Sequence, residues 1–555
     1  MSHFMSQLPR FHPAVLSMAV LFGLTACGGD KPSSAQTDTT QTNTNAQATA
    51  EQAITINNAS EPESLDPHVA KGVQEANVIR QFSEGLLTTD NDGNLVAGMA
   101  QKWESADNKV WTFSLRDATW SNGDPVTAHD FVYSFQRLVD PKTGSSYASY
   151  LEDAKVVNAG EIILGNKPTD TLGVRAIDDK TLEITLSEAV PYLPDMMIHT
   201  SVQPVHKATV EAHGDKWTNP KNIVVNGAYK PTEWIVNEKI VLEKNPSYHD
   251  HANVKLDKLT MLPIPQATTD VQRYQAGEID ITASELPSEQ FASLKRTLGD
   301  EVKSAPTLCT YYYELNVDNA PFDDIKVRRA LNLAADRELI AEKVMGQGQV
   351  PAYQFTPPAV KGGLKYTPEW QSWDRAKRLE EAKKLLNEAG YNESNPLTFK
   401  LLYDTNESHK KIAVAMASLW KESLGVNVEL VNEEWKSYLE TRRLGKYQMV
   451  RARWCGDYNE SSTFLNLMKS NNTNNWSAYK SAEYDAIMAS SLQAGLNDEE
   501  RVKIYHQAES LLDKDEVHID IFYYTNARLV KPYVKGYSNK DPLDQWQAKY
   551  WSVAK

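Results

Sequence analysis

An α/β protein built of more than one lobe is expected from this chain of 555 residues. A single hydrophobic core stops growing at roughly 250–300 residues, so the length calls for several. Segments of strand-like alternation are interleaved with segments of helical period, the pattern of α/β architecture. Charged residues are 24% and hydrophobic ones 41%, the balance of an ordinary globular body. The formal net charge of −15 excludes a general affinity for nucleic acid or anionic lipid, both of which require a positive surface.

The N-terminus reads as a targeting segment. Residues Met1–Pro13 carry one strong base, Arg10, and no acid. Ala14–Leu24 is an apolar run of signal-peptide length, too short to span a bilayer of ~30 Å. It ends in Leu24-Thr25-Ala26-Cys27-Gly28, which resembles a lipobox, with Cys27 as the lipidated first residue of the mature chain. An ordinary secretory signal that happens to contain a cysteine is the alternative. Asp30–Ala53 is rich in Thr, Gln, Asn, Ser and Ala and has too little apolar surface to fold. As a tether of about 25 flexible residues it reaches about 25–30 Å.

Strand and helix signals then alternate. Trp111, Phe113 and Leu115 alternate with Thr112 and Ser114, as in a half-buried strand. Thr127 is placed to cap a helix whose Phe131, Phe135 and Leu138 share one face. Leu182, Ile184 and Leu186 repeat the strand pattern. A helix is expected from about Asp374 to Ala389, with Leu379, Ala382, Leu385 and Leu386 on its apolar stripe and Gly390 at its left-handed end. Of three cysteines, Cys27 is assigned to lipid, and the remaining pair, Cys309 and Cys455, suggests a disulfide in an oxidising compartment. Closing so long a loop would stabilise the chain by about 5 kcal/mol. Two unrelated buried thiols are the alternative.

Motifs for chemistry are missing. There is no Gly-x-Ser-x-Gly elbow, no His-Glu-x-x-His helix and no phosphate-cradling loop. His249-Asp250-His251 could open a metal site, but without further ligands it reads as an exposed loop. No catalytic residue, metal or cofactor is assigned. What stands out is Arg451–Glu460, which packs two cations, two aromatics, a cysteine and acids into ten positions. Cys309–Glu314, with Tyr311, Tyr312 and Tyr313, is the segment a disulfide would bring beside it. Core packing of the aromatics is the bland reading; the constellation as a whole points to a ligand site.

Around these residues the chain resembles the large extracytoplasmic solute-binding proteins of peptide ABC importers, from about Ile54 to the C-terminus. The resemblance rests on Ser64-Leu65-Asp66-Pro67-His68, the Val110–Leu138 block, Asn226-Gly227-Ala228-Tyr229, Asn245-Pro246, Asp324–Leu331, Lys383–Gly390 and the Trp454–Glu460 stretch. It implies a type II periplasmic-binding-protein fold, two ligand-clamping lobes plus an additional third. Residues 1–26 would be the signal peptide and 27–53 the lipidated tether. Lobe I would comprise 54–83, 207–308 and 525–555, the additional lobe II 84–206, and lobe III 309–524. A short peptide would lie extended in the cleft, its backbone paired like an added strand. The resemblance gives Asp457 the peptide α-ammonium, and Arg451 and His409 the carboxylate end. Tyr147, Tyr312, Trp435, Trp454 and Tyr523 would be cleft aromatics, with Cys455, Arg442 and Glu314 nearby. A monomer in the cell envelope, delivering peptides to an inner-membrane ABC permease and touching the membrane only through its lipid, is the implied biology.

The chain departs from the family pattern at four positions. Lys71 stands where the family has Glu, Arg453 for Gly, Thr307 for a pocket Tyr, and Met345 for a Lys that assists dipeptides. Lys71 and Arg453 make the expected cleft more cationic, which favours acidic cargo such as cell-wall peptides. A binding protein specialised for murein peptides is therefore the nearest alternative, and an extracytoplasmic peptidase the more distant one.

Overall fold

A computed structural model describes residues 51–555 other than 473 and 494, and the side chains of these other than that of Lys436. The signal peptide, Cys27 and most of the tether lie outside the described residues. The first strand begins at Ala53, and the Gln52 amide already donates to the Val553 carbonyl at 2.9 Å. The stretch read as unstructured therefore ends slightly earlier than composition suggested, because its last residues join a sheet edge.

Three sheets organise the molecule. Ala53–Asn57 pairs in parallel with Lys258–Leu262, which continues antiparallel through Lys239–Lys244 to Tyr229–Ile235. Its core includes Ile54, Val78, Trp217, Leu242, Leu259 and Trp551, gathering residues from both ends of the chain. A second, antiparallel sheet runs Ala100–Glu104, Val110–Leu115, Thr181–Thr185, Val174–Asp178. The expected alternation is realised there: Trp111, Phe113 and Leu115 point into a core shared with Phe131, Phe135 and Leu138 of helix Ala128–Val139. Thr127 is the N-cap of that helix, and its backbone N–H donates to Asp130 at 2.8 Å.

The third sheet has six strands, in the order Val350–Pro351, His518–Leu529, Val302–Leu315, Met449–Cys455, Thr398–Asp404, Asn427–Glu433. Helices cover both faces. Tyr311 and Tyr313 point into one core with Val327, Leu386, Met416 and Trp420, whereas Tyr312 points into the other with Phe355, Phe464 and Leu512. The predicted helix is Arg375–Glu388, capped by the Asp374 carboxylate and closed by Gly390 at φ +88°. The longest strands, Val302–Leu315 and His518–Leu529, run on from this sheet into the neighbourhood of Leu286, Leu294, Ala527 and Leu529. Their ladder breaks register between Pro306 and Thr310.

Within that break, Cys309 faces Cys455 across the strand pair on its other side and is bridged to it, closing a separation of 146 residues. Exchanging both for serine should leave far-UV circular dichroism unchanged yet remove about 2–5 kcal/mol of stability. Urea unfolding followed by tryptophan fluorescence checks this, and reductant on the native protein should reproduce the shift.

Candidate functional site

Strand Met449–Cys455 is central in the six-stranded sheet, so its alternate side chains emerge on opposite faces with little freedom. Arg451 is buried and lies over the Tyr311 ring at 5.1 Å. Its Nη2 donates to the Tyr524 hydroxyl at 2.7 Å and its Nη1 to Asp404 at 3.4 Å. Its Nε is buried without a partner among the described residues. Asp404 also takes His409 Nδ1 at 2.8 Å. Burial opposes the charge on Asp404, but His409 and Arg451 overcome it and hold the carboxyl below its ordinary range. Burial, then the charge of Arg451, pushes His409 down, so it is neutral at neutral pH. This end of the site offers one positive charge and a spare N–H, the chemistry that receives a carboxylate.

The opposite face holds a closed ion pair. Arg442 Nη2 donates to Glu314 at 2.7 Å and to the Tyr312 hydroxyl at 3.2 Å, with the guanidinium 4.5 Å over the Trp476 ring. The Tyr447 hydroxyl completes Glu314. Tyr312 is buried against Phe355 and His518. Tyr523 is buried too, and its hydroxyl donates to the Gln354 carbonyl at 2.8 Å. These four residues support the strands from beneath, with their polar groups already satisfied.

Asp457 differs. It follows the disulfide in a turn held by its own N–H on Thr463 Oγ1 at 2.9 Å, while Trp454 Nε1 donates to the Thr463 carbonyl at 2.7 Å. Its carboxylate leaves the core of its own sheet and enters the border of the core around Phe131 and Phe135, where it accepts the Tyr147 hydroxyl. His199 Nε2 stands 3.7 Å away. Among the described residues no cation neutralises it there. Burial, and then the charge of Asp153, lifts Asp457 to about 7, the Tyr147 hydrogen bond working against them. Tyr147 in turn is pushed well up, first by the Asp457 charge and then by burial. A carboxylate that is 19% exposed, with a neutral donor and a neutral imidazole beside it, is built to receive a cation.

The remaining predicted residues are placed less centrally. Arg453 is exposed, 4.4 Å over the Tyr524 ring, with Nε 3.0 Å from Cys455 Sγ. Among the described residues no acid pairs with it. Trp435 is 51% exposed and stacks on Tyr438 at 5.5 Å. Lys71 is not brought to these clusters: it is exposed and lies 3.9 Å from Glu63. The His249 reading needs correction, because its ring is buried rather than looped into solvent. It bonds Glu84 at 2.6 Å and Arg116 at 3.1 Å, and no metal-binding group of three or more ligands occurs among the described residues. Sequence reasoning missed Asp404, Tyr524, Asp153 and His199, single residues in no motif that arrive from distant segments.

The family model for bacterial extracellular solute-binding proteins, family 5 Middle, matches residues 94–476. The periplasmic oligopeptide-binding protein OppA of Salmonella typhimurium is 53% identical, covering 91% of this chain and 93% of its own. The structure of Haemophilus influenzae OppA in complex with RPPGFSPFR superposes with a TM-score of 0.85 at 49% identity, covering 91% of this chain and 99% of that one. The Escherichia coli murein tripeptide binding protein MppA gives 0.86 at 42% identity, again over 91% and 99% of the two chains. An unliganded open form of MppA, covering 91% and 98%, gives only 0.73 at the same identity. The chain is thus less similar to that open form than to the other MppA structure.

The Glu314–Arg442 pair gives a stability test. Glu314→Ala should cost about 3–5 kcal/mol, because it strands a buried guanidinium, whereas Glu314→Leu with Arg442→Met should cost much less. Urea unfolding of the three proteins checks the order.

Proposed function

The chain belongs to the bacterial extracellular solute-binding proteins of family 5, and on that premise we propose that it captures peptides by their free α-amino end and delivers them to an ABC importer. The observation that carries this reading is Asp457, a carboxylate enclosed by two cores and left without a cation. A peptide ammonium supplies the missing charge, and the Arg451–His409 end takes the carboxylate. Backbone groups are common to all peptides, so the ends give affinity while side chains are read loosely. The protein works in the periplasm and binds its cargo without chemistry on it. Lipidation at Cys27, a monomeric state and the boundaries 54–83, 84–206, 207–308, 309–524 and 525–555 for the lobes complete the proposal.

Cargo preference follows from Arg453. It is a cation held by a ring and by sulfur, with no carboxylate of its own, beside a second cation already paired. Peptides carrying an extra carboxylate, as cell-wall peptides do, gain a charge-assisted contact there. Acidic tripeptides should bind about five- to tenfold tighter than neutral ones, and Arg453→Gly should erase the difference in calorimetric titration. Equal affinities in the native protein would remove this preference from the proposal.

Two tests address Asp457 directly. Asp457→Ala should weaken binding of a free-amine tripeptide at least ~100-fold, as stranding a buried ammonium costs about 3 kcal/mol or more. The N-acetylated peptide should bind poorly to both proteins. Affinity should also peak between about pH 7 and 8. Below about 7 the Asp457 carboxyl takes up a proton, whereas above about 8 the guest amine loses its own. Titration from pH 5 to 9 checks the shape, and Asp457→Asn should abolish the acid limb.

A further inference from the structure

His199 is largely covered at the border of the Phe131 core, between Tyr150 at 4.8 Å and Tyr147 at 4.6 Å between ring centroids. Its Nδ1 accepts the backbone N–H of Ser201 at 3.2 Å, the cap of a short 3-10 turn. A backbone N–H can only donate, so Nδ1 carries no proton there. Burial, and then the charge of Arg80, lowers the ring's pKa to about 3, so His199 is neutral at physiological pH. A neutral imidazole has one proton, and with Nδ1 committed it sits on Nε2. The Ser201 hydroxyl, 2.8 Å from Nδ1, can donate to the same lone pair. Nε2 lies 3.7 Å from Asp457 Oδ1, too long for a direct hydrogen bond but close enough for its N–H dipole to favour the carboxylate.

We propose that His199 is a positioning residue for amino-end recognition: its Nε2–H, oriented by Ser201, steadies the Asp457 carboxylate while adding no charge to compete with the guest. The inference rests on the reading of Asp457 as the ammonium receptor and extends it to a residue of a different core. The facing groups divide cleanly. Tyr147 and His199 offer neutral donors, Asp153 offers repulsion, Tyr150 commits its hydroxyl to the Met196 carbonyl, and Thr463 holds the Asp457 backbone. None is a cation. A protonated histidine would fill the site with an internal ion pair, and an apolar residue would leave the carboxylate to Tyr147 alone. The neutral donor leaves the anion placed and still unneutralised.

Two substitutions separate the two nitrogens. Asparagine mimics Nδ1, so His199→Asn keeps the Ser201 acceptor and loses the N–H that faces Asp457. Glutamine reaches the Nε2 position, so His199→Gln keeps that N–H. His199→Asn should weaken binding of a free-amine tripeptide about tenfold and leave the poor binding of its N-acetylated form unchanged. It should also move the acid limb of the pH profile upward, since a carboxylate that loses a neighbouring N–H dipole protonates more readily. His199→Gln should recover most of the affinity and return the limb. Thermal melts verify folding of each. Wild-type affinity and limb position in His199→Asn, or equal losses in both variants, would overturn the inference. If Asp457→Asn itself binds free-amine peptides normally, the reading of Asp457 falls instead, and the two failures are thereby distinguished.

Discussion

The energetic centre of the molecule is a carboxylate that is buried and unpaired. Removing an anion from water is costly, and a protein tolerates it only when hydrogen bonds and a counter-charge offset the loss. At the Asp457 carboxylate a hydrogen bond from Tyr147 is present and, among the described residues, a counter-charge is not. In this arrangement the unbalanced charge is costly while no guest is bound and is offset once an ammonium enters. A ligand shifts a conformational equilibrium only by its differential affinity for the two states, and here the difference is the charge itself. On the proposed reading of Asp457, selectivity for a free amino end is a consequence of this one group.

The other charges near the central strands behave differently because they are already paired. Glu314 and Arg442 satisfy each other and two hydroxyls, so a guest gains nothing from them directly. Arg451 is intermediate: Asp404 and Tyr524 occupy its terminal nitrogens, yet Nε is buried and unpartnered. A guest carboxylate can use that N–H without displacing Asp404, but it meets a guanidinium whose charge is partly compensated. The two ends of a peptide are therefore recognised with unequal stringency. The amino end meets a bare charge, and the carboxyl end meets a residual one. Tolerance of different peptide lengths is easier on such terms than if both ends met bare charges.

Much of the local structure was legible in the sequence. Asp374 and Gly390 bracket their helix as capping chemistry requires, and the Trp111, Phe113, Leu115 alternation gave the buried face of its strand. The odd and even positions of Tyr311–Tyr313 divide between two cores as a strand dictates. Asp457 and Arg451 were legible through resemblance, since they stand in a dense run of distinctive residues. Asp404, His199 and Tyr524 were not, because each is a single side chain in an ordinary segment whose role exists only after distant cores pack. His249 was misread for the same reason: its partner Glu84 lies 165 positions away and leaves no local trace. Lys71 shows the limit of reasoning by position alone, as its ammonium faces Glu63 at the surface.

The placement of the disulfide ties these observations to motion. Two strands cross from the six-stranded sheet toward Leu286 and Leu529, and their ladder is interrupted between Pro306 and Thr310. Pro306 has no N–H to give the ladder, so bending there breaks fewer hydrogen bonds than bending elsewhere along the pair. Cys309 lies within the break, next to its Thr310 end, and fastens Val302–Leu315 to the strand that carries Arg451 and leads to Asp457. Arg451 and Asp457 are thus tied to one sheet. Tyr147 and His199, in the Phe131 core, belong to the other side. The carboxylate and the groups that face it are thus fastened to different parts of the fold, so the site is complete only where the two cores meet, and what it still needs there is a positive charge.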